Sequence, residues 1–385
     1  MKLDDVAILG VGMTRFGVYR ERSVLDIARD AGLAALDDAG ISFAEIDEAF
    51  VGYIFHQTMT GIRAIKEFGL TGLPVTHVEN ASATGLVTFR DAVYAVASGR
   101  ADVVMALGFD KMSDAASGGG RSRGQGRDSI DNVILPAAYF SLWANRRMHE
   151  RGTKPEHFAR IAAKNWNNGA LNPHSHRQPD HRVSVEEVLA SRMIAEPVTA
   201  MMSCPVDDGA ACAIIAHKDY VKKRQPDRPL VCPVVSTLQT ETYKRGHTFM
   251  GPVVGPPSMT RDTARQAYEE SGIDPRDVDV TLVHDAFANE ELEYYELLGF
   301  CPEGDAEKLV EEGETEIGGR FPVNPDGGLI ARGHPGGPTG LAQIHELTLQ
   351  LRGEAGKRQV ENARVGLAHL VGGGGVCAVS LLERQ

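Results

Sequence analysis

Apolar residues in the first part of the chain group into short runs that alternate with amphipathic segments. Residues 6–12 form an apolar run that ends in a glycine turn, which indicates a buried strand. Residues 23–38 repeat Leu, Ile and Ala at helical spacing, and Gly40 follows as a stop signal. Residues 48–54 predict the next strand. This alternation predicts an α/β fold with mixed or parallel sheets.

The same pattern surrounds position 82. Residues 76–80 are strand-like and end at Ala81-Ser82-Ala83-Thr84-Gly85, after which a helix over 86–98 and an apolar strand over 101–108 are predicted. Residues 110–179 instead collect Gly, Arg, Met and aromatic residues without sheet periodicity, which predicts an insertion of helices and loops. A helix at 183–192 and a strand at 210–215 then resume the pattern.

The second half of the chain repeats the first in outline. Ser82-Ala-Thr-Gly-Leu before one predicted helix is echoed by Gly337-Pro-Thr-Gly-Leu before another, and an apolar strand follows each helix. An internal duplication explains this best. We therefore predict a first half from 1–110 and 180–225, an inserted loop domain at 111–179, and a second half at 226–385.

Composition narrows the class of protein. The 385 residues are 42% hydrophobic and carry a net charge of -12, which weighs against nucleic-acid binding, and the basic stretch 121–127 is expected to be a solvated loop. The five cysteines form no CxxC pair, so neither a zinc ribbon nor a disulfide framework is predicted. Gly10 and Gly12 lack the third glycine of a dinucleotide-binding motif. The chain shows no signal peptide or long apolar run, so we expect a cytoplasmic protein. No set of His, Cys, Asp and Glu residues has convincing metal-ligand spacing, so no metal site is predicted.

Five separated motifs resemble the thiolases, in particular the branch of sterol-carrier-protein-type thiolases and acetyl-CoA acetyltransferases. They are Glu79-Asn-Ala-Ser-Ala-Thr-Gly85; Ser191-Arg-Met-Ile-Ala-Glu-Pro197 with Cys204-Pro-Val-Asp-Asp-Gly-Ala210; His284-Asp-Ala-Phe287 with Leu298-Gly-Phe-Cys-Pro302; Asn324-Pro-Asp-Gly-Gly-Leu-Ile330 with Gly333-His-Pro335; and His369-Leu-Val-Gly-Gly-Gly-Gly375. The resemblance implies duplicated βαβαβαββ halves in five α-β-α-β-α layers. It also implies a homodimer that pairs near residues 76–80, coenzyme A as substrate with no bound cofactor, and a loop domain that covers the acyl tunnel.

Ser82 stands where the resemblance places the nucleophilic cysteine. A hydroxyl is far less acidic than a thiol, so a helix amino end alone does not produce a useful alkoxide, and a base within hydrogen-bond reach is needed. Three interpretations stay open: a replacement of an original cysteine that leaves substrate unreacted, a natural variant that uses the geometry without covalent acylation, and a working serine nucleophile. Each is compatible with Ser82 as a helix cap.

The resemblance assigns further roles. His284 and His334 would polarise the thioester and activate the nucleophile, and Gly372 with the amide of residue 82 would form an oxyanion hole. Asn324, Phe287 and Gly333 are candidate substrate-binding residues. The acid–base cysteine of the family is absent from both of its usual places, where this chain has Ala286 and Leu370. Cys377 is expected to be a buried structural thiol.

The leading functional hypothesis is thiolysis of a 3-ketoacyl-CoA by an acyltransferase of lipid or aromatic degradation. One alternative is an aldol-type lyase that cleaves a 3-hydroxyacyl-CoA. Such relatives tend to carry tyrosines in place of the two histidines, and Tyr294 and Tyr295 are expected only to pack a helix face. Another alternative is a non-catalytic acyl-CoA-binding subunit. The resemblance leaves two assemblies open: a self-sufficient homodimer, and a chain that pairs with a separate small subunit carrying a zinc ribbon and an OB fold, as members of this branch often do. Acyl chain, direction and the origin of Ser82 stay open.

Overall fold

Eleven strands are found in the residues that the computed structural model describes, which are 3–114, 136–242, 257–373 and 375–385. The strands are β1 (Val6–Met13), β2 (Glu48–Gly52), β3 (Val75–Val78), β4 (Val103–Lys111), β5 (Met193–Ala195), β6 (Val198–Thr199), β7 (Asp208–His217), β8 (Val231–Thr240), β9 (Val280–Leu282), β10 (Val365–Gly372) and β11 (Val376–Arg384). The helices are α1 (Val24–Ala39), α2 (Thr60–Lys66), α3 (Thr84–Ala97), α4 (Met112–Asp114), α5 (Pro136–Arg151), α6 (Pro155–Leu171), α7 (Val185–Ala190), α8 (Lys218–Arg224), α9 (Pro257–Ser271), α10 (Ala288–Leu297), α11 (Ala306–Glu311), α12 (Gly328–Ala331) and α13 (Thr339–Arg352).

The two halves each form a mixed sheet, and the two sheets have equivalent strand orders. The first runs β1-β7-β4-β2-β3 and the second β8-β11-β10-β9. In both sheets the first two pairings are antiparallel and the third is parallel. Beyond β9, an isolated parallel bridge between Thr281 and Val323 lies where the first sheet has β3. The duplicated halves predicted from the repeated Thr-Gly-Leu segments are confirmed.

Helices α3 and α13 lie between the two sheets and cross each other at two glycines. A Cβ atom added to Gly85 would lie 2.6 Å from the carbonyl oxygen of Gly337, and one on Gly340 would lie 2.1 Å from the amide nitrogen of Leu86. Helix α1 covers the outer face of the first sheet, and α9 packs on β8 and β11 of the second. The five-layer α-β-α-β-α arrangement is therefore the thiolase fold that was predicted.

Part of the predicted insertion is helical. Helix α6 packs against α10 and α12 of the second half, and Asn168 on α6 donates to the carbonyl oxygen of Asn324 at 3.0 Å. The basic stretch 121–127 lies outside the described residues. None of the helices in the described part of the chain has both the length and the apolar character that a membrane span requires.

Candidate active site

The loop from β3 to α3 presents Ser82 at the amino end of a buried 14-residue helix. Ala81 adopts a left-handed conformation with φ of 48°, and the Asn80 N–H donates to Thr84 Oγ1 at 2.8 Å. The carbonyl of Asn80 accepts from the Ala83 N–H. These contacts turn the chain sharply into α3. They place the Ser82 hydroxyl where the helix dipole favours negative charge.

Ser82 and His334 form a hydrogen-bonded pair. Ser82 Oγ lies 3.0 Å from His334 Nε2, and His334 Nδ1 lies 2.9 Å from Thr339 Oγ1. Burial, followed by the proximity of His284, lowers the pKa of His334 well below its usual value, so its imidazole is neutral. When Nδ1–H donates to Thr339, the Nε2 lone pair accepts the Ser82 hydroxyl. The third residue of this hydrogen-bonded series, Thr339, contributes a hydroxyl. A hydroxyl orients the imidazole but, unlike a carboxylate, does not stabilise an imidazolium by charge.

A buried carboxyl group holds the loop that carries His334. Asp207 Oδ1 accepts from the His334 N–H at 3.0 Å, and Asp207 Oδ2 lies 3.3 Å from His176 Nδ1. Burial raises the pKa of Asp207 to about 6. Gly333 has φ of 118°, and a Cβ atom there would lie 1.9 Å from Asp207 Oδ2. Gly333 thus packs behind His334, where only glycine fits.

His284 lies beside His334 with one ring nitrogen unengaged. The two ring centroids are 5.3 Å apart and nearly perpendicular. His284 Nδ1 lies 2.9 Å from Glu290 Oε2, whereas Nε2 is buried and has no hydrogen-bond partner among the described residues. Burial lowers the pKa of His284 to about 3. A buried, unpartnered nitrogen next to a hydroxyl–imidazole pair is a position for a substrate atom.

Asn324 supports His284 from behind and is occupied by protein contacts. Its Oδ1 accepts from the Val283 N–H at 3.0 Å, and its Nδ2 donates to Glu291 Oε2 at 2.8 Å. Phe287 instead stacks on Phe140, with ring centroids 4.6 Å apart. Through these contacts Asn324 holds the backbone next to His284 in position. Phe287 belongs to an aromatic pair with Phe140.

Gly372 ends β10 against the loop that carries Ser82. A Cβ atom on Gly372 would lie 2.4 Å from the carbonyl oxygen of Asn80 and 3.4 Å from Ala81. The structure therefore brings Ser82, His284, His334 and Gly372 to one place, although they come from four separate motifs. The oxyanion role of Gly372 remains a prediction.

No cysteine occupies the family's acid–base positions. Ala286 is buried, and its carbonyl accepts from the Cys204 N–H at 2.8 Å, while Leu370 is fully buried in β10. Cys377 is buried in β11 with its Sγ 3.9 Å from Thr260 Oγ1, and burial raises its pKa to about 12. Within the described residues, no group of three or more His, Cys, Asp or Glu side chains is arranged to hold a metal ion.

Three residues that contact the histidines were missed from the sequence: Glu290, Asp207 and Thr339. Asp207 and Thr339 both lie in segments that the sequence singled out, but no pattern there indicated a contact with His334. Glu290 had a local signal, because an acidic residue three positions after Phe287 is a helix-capping arrangement. That signal predicts a cap and says nothing about the imidazole.

Comparison with known proteins places this geometry in a family. The family model "Thiolase, N-terminal domain" matches residues 6–219, and "Thiolase C-terminal domain-like" matches residues 245–383. Sterol carrier protein 2 of Homo sapiens is 40% identical over an alignment of 399 positions, which covers 99% of this chain and 72% of that protein. An acetyl-CoA acetyltransferase of Methanothermobacter thermautotrophicus is 37% identical over an alignment of 390 positions, which covers 99% of this chain and all of the relative.

Among solved structures, an Ltp2-ChsH2(DUF35) aldolase superposes with a TM-score of 0.84 at 25% identity, covering 99% of this chain and 98% of that one. The two family models together cover both halves of the duplicated fold, and the relatives match along nearly the whole chain. This chain belongs to the thiolase family.

Proposed function

We propose that this protein catalyses reversible cleavage of the C2–C3 bond of a 3-ketoacyl-CoA, with transfer of the acyl fragment to coenzyme A. The observation that carries the proposal is the Ser82–His334 hydrogen bond of 3.0 Å beside the unpartnered Nε2 of His284. A nucleophile, its base and a second imidazole are what acyl transfer with carbanion formation requires. A relative of matching length that is named acetyl-CoA acetyltransferase supports it.

The proposed reaction begins at Ser82. Its Oγ attacks the C3 carbonyl as its proton passes to His334 Nε2, and the oxyanion forms near the amide of residue 82 and Gly372. The C2–C3 bond then breaks, its electron pair moves to C2, and C2 takes a proton. The coenzyme A thiol loses a proton and attacks the acyl-serine ester, and Ser82 recovers its proton from His334.

A second candidate is aldol-type cleavage of a 3-hydroxyacyl-CoA without a covalent intermediate. It is favoured by the Thr339 hydroxyl behind His334, which makes a weak system for serine activation, and by the likeness to an aldolase. Here His334 Nε2 would take the proton of the substrate's 3-hydroxyl group directly. The C2–C3 bond would break to give a carbonyl product, and C2 would take a proton as in thiolysis.

Coenzyme A is proposed as substrate, held partly by the loop domain at 111–179. Two contacts support this place for the insertion: Phe140 on α5 stacks on Phe287, and Asn165 on α6 donates to Asp285 Oδ2 at 2.8 Å. Both contacts lie in the loop that begins with His284. The proposed halves, 1–110 with 180–225 and 226–385, would then meet at the reacting atoms.

We also propose a homodimer that pairs near residues 76–80, because β3 is an edge strand with exposed residues at Thr76 and His77. A separate small subunit is proposed by analogy with the aldolase, whose name joins Ltp2 to ChsH2(DUF35). Light scattering of the purified chain tests the dimer. Co-expression with genomic neighbours, followed by size-exclusion chromatography and zinc analysis, tests the small subunit.

The decisive experiment compares this chain with its Ser82→Ala variant on short, long and aryl 3-ketoacyl-CoA and 3-hydroxyacyl-CoA substrates. Thiolysis through Ser82 predicts an acyl-Ser82 ester by mass spectrometry and loss of thiolysis in the alanine variant. Release of ketone or aldehyde without free coenzyme A, retained in Ser82→Ala, would establish the lyase instead. Tight acyl-CoA binding with neither reaction would identify a binding subunit and refute both proposals.

A further inference from the structure

We propose that Glu290 keeps a proton available to His284, so that His284 Nε2 protonates C2 in place of the missing cysteine acid. This inference rests on the proposed cleavage of the C2–C3 bond, in either of its two forms. It assigns Glu290 as a positioning and proton-holding residue and His284 as the group that touches substrate.

The carboxyl group of Glu290 is fixed by three contacts. Oε2 lies 2.9 Å from His284 Nδ1 and accepts the Tyr294 hydroxyl at 3.0 Å, and Oε1 accepts the Phe287 N–H at 3.0 Å. Glu290 is fully buried in the first turn of α10. The carboxyl group therefore cannot leave the imidazole without losing the contact that caps its own helix.

Burial determines how many protons this pair holds. It lowers the pKa of His284 to about 3 and raises the pKa of Glu290 well above its usual value, so both groups favour their uncharged forms. One proton then lies between Oε2 and Nδ1, and a second lies on Nε2. If the first proton crosses to Nδ1, the pair becomes imidazolium and carboxylate, and Nε2 still carries its hydrogen.

Burial also holds neighbouring side chains in their neutral forms. In five side chains that interact electrostatically with this pair, burial is the largest cause of the pKa shift and favours the neutral form. These side chains are Tyr139, Cys204, Tyr294, His334 and His369. Because the Nε2–H has no partner in the described part of the chain, its hydrogen is available to a substrate atom.

The proton balance closes over the cycle. When the C2–C3 bond breaks, the Nε2 proton passes to C2 and the Glu290 proton crosses to Nδ1, which leaves neutral His284 and a glutamate anion. The Phe287 and Tyr294 donors stabilise that anion. In thiolysis, the coenzyme A thiol then gives its proton to Nε2, the Nδ1 proton returns to Glu290, and the thiolate attacks the acyl group. In aldol cleavage, the proton that His334 took from the substrate restores the pair through water.

The test is Glu290→Gln. The glutamine side chain fills the same space and can donate to Nδ1, which keeps a hydrogen on Nε2, but it has no proton to pass to the imidazole. We expect KM to stay within about 3-fold and kcat to fall by about 100-fold or more, because general acid catalysis contributes roughly 10²–10⁴. The matched control is Tyr295→Phe, which removes a hydroxyl that donates to the neighbouring Glu291 on the same helix. Its kcat is expected to stay within about 3-fold of that of the unsubstituted chain.

A second measurement does not depend on turnover. The protein is labelled with ¹⁵N-histidine, and the His284 NMR signal is identified by its loss in His284→Gln. At neutral pH this signal should show a hydrogen covalently attached to Nε2. A bare Nε2, or an unchanged kcat in a folded Glu290→Gln protein, would overturn the proposal. If neither substrate class is turned over, the proposed function fails, while the histidine spectrum still decides whether Glu290 keeps Nε2 protonated.

Discussion

Ser82 Oγ lies 3.0 Å from His334 Nε2 although 252 positions separate the two residues. One sits before α3 in the first half, and the other sits before α13 in the second half. The contact exists because these two helices cross at Gly85 and Gly340 between the sheets. Duplication of the fold therefore places the amino ends of two equivalent helices around one reaction site.

Ser82→Cys is expected to raise thiolysis by roughly tenfold or more, because a thiol with a pKa near 8.5 ionises far more readily than a hydroxyl beside a neutral imidazole. Steady-state rates with coenzyme A and a 3-ketoacyl-CoA measure this. The same variant should gain one site of rapid alkylation by iodoacetamide at position 82. A reactive thiol without any gain in thiolysis would show that acylation of residue 82 is not part of the reaction.

Thr339→Val is expected to lower kcat/KM about tenfold, since removing the hydroxyl leaves His334 Nδ1 without its buried partner, at a cost of about 1–3 kcal/mol. Valine has nearly the same shape, so packing is preserved. Thr348→Val on the same helix is the control, because its hydroxyl donates to the backbone carbonyl of Ile344. Equal activities of the two variants would remove Thr339 from the catalytic chain.

Asp207→Asn should change how stability depends on pH. The pKa of Asp207 is raised to about 6 in the folded protein, against about 3.9 when unfolded, so between these values the folded state binds more protons and stability falls as pH rises. The asparagine variant lacks this loss. Relative to the unsubstituted chain it should gain about 2 kcal/mol of unfolding free energy between pH 4 and pH 7. Urea unfolding at both pH values checks this, and a pH-independent difference would contradict it.

Gly340→Ala is expected to destabilise the fold by about 1–3 kcal/mol, since the added Cβ atom would force α3 and α13 apart. Gly17→Ala is the matched control, because a Cβ placed there has no heavy atom of the described residues within 4 Å apart from its own chain neighbours. Its stability should stay within about 0.5 kcal/mol. Denaturant midpoints of the two proteins decide the matter, and similar values would mean that the helix crossing tolerates a wider spacing.

Local pattern was enough to predict the secondary structure around the site. The helix predicted at 86–98 is observed as α3, and the strand at 101–108 as β4, because apolar periodicity records which face of an element is buried. The repeated Thr-Gly-Leu segments likewise indicated two equivalent halves. Ser82, His284, His334 and Gly372 were recognised as candidates from motif resemblance, and the structure brings all four together.

The contacts that govern the chemistry were decided by tertiary structure. Three contacts could not be predicted: Glu290 with His284, Thr339 with His334, and Asp207 with the His334 N–H. In the sequence, Glu290, Thr339 and Asp207 fit ordinary capping, helix and turn roles equally well. A sequence records which residue types are present. In this protein it was enough to predict that the fold is duplicated and that His284 and His334 are candidate site residues. Proton positions depend on distances of about 3 Å and on exclusion of water. Both arise only when the chain packs into its tertiary fold.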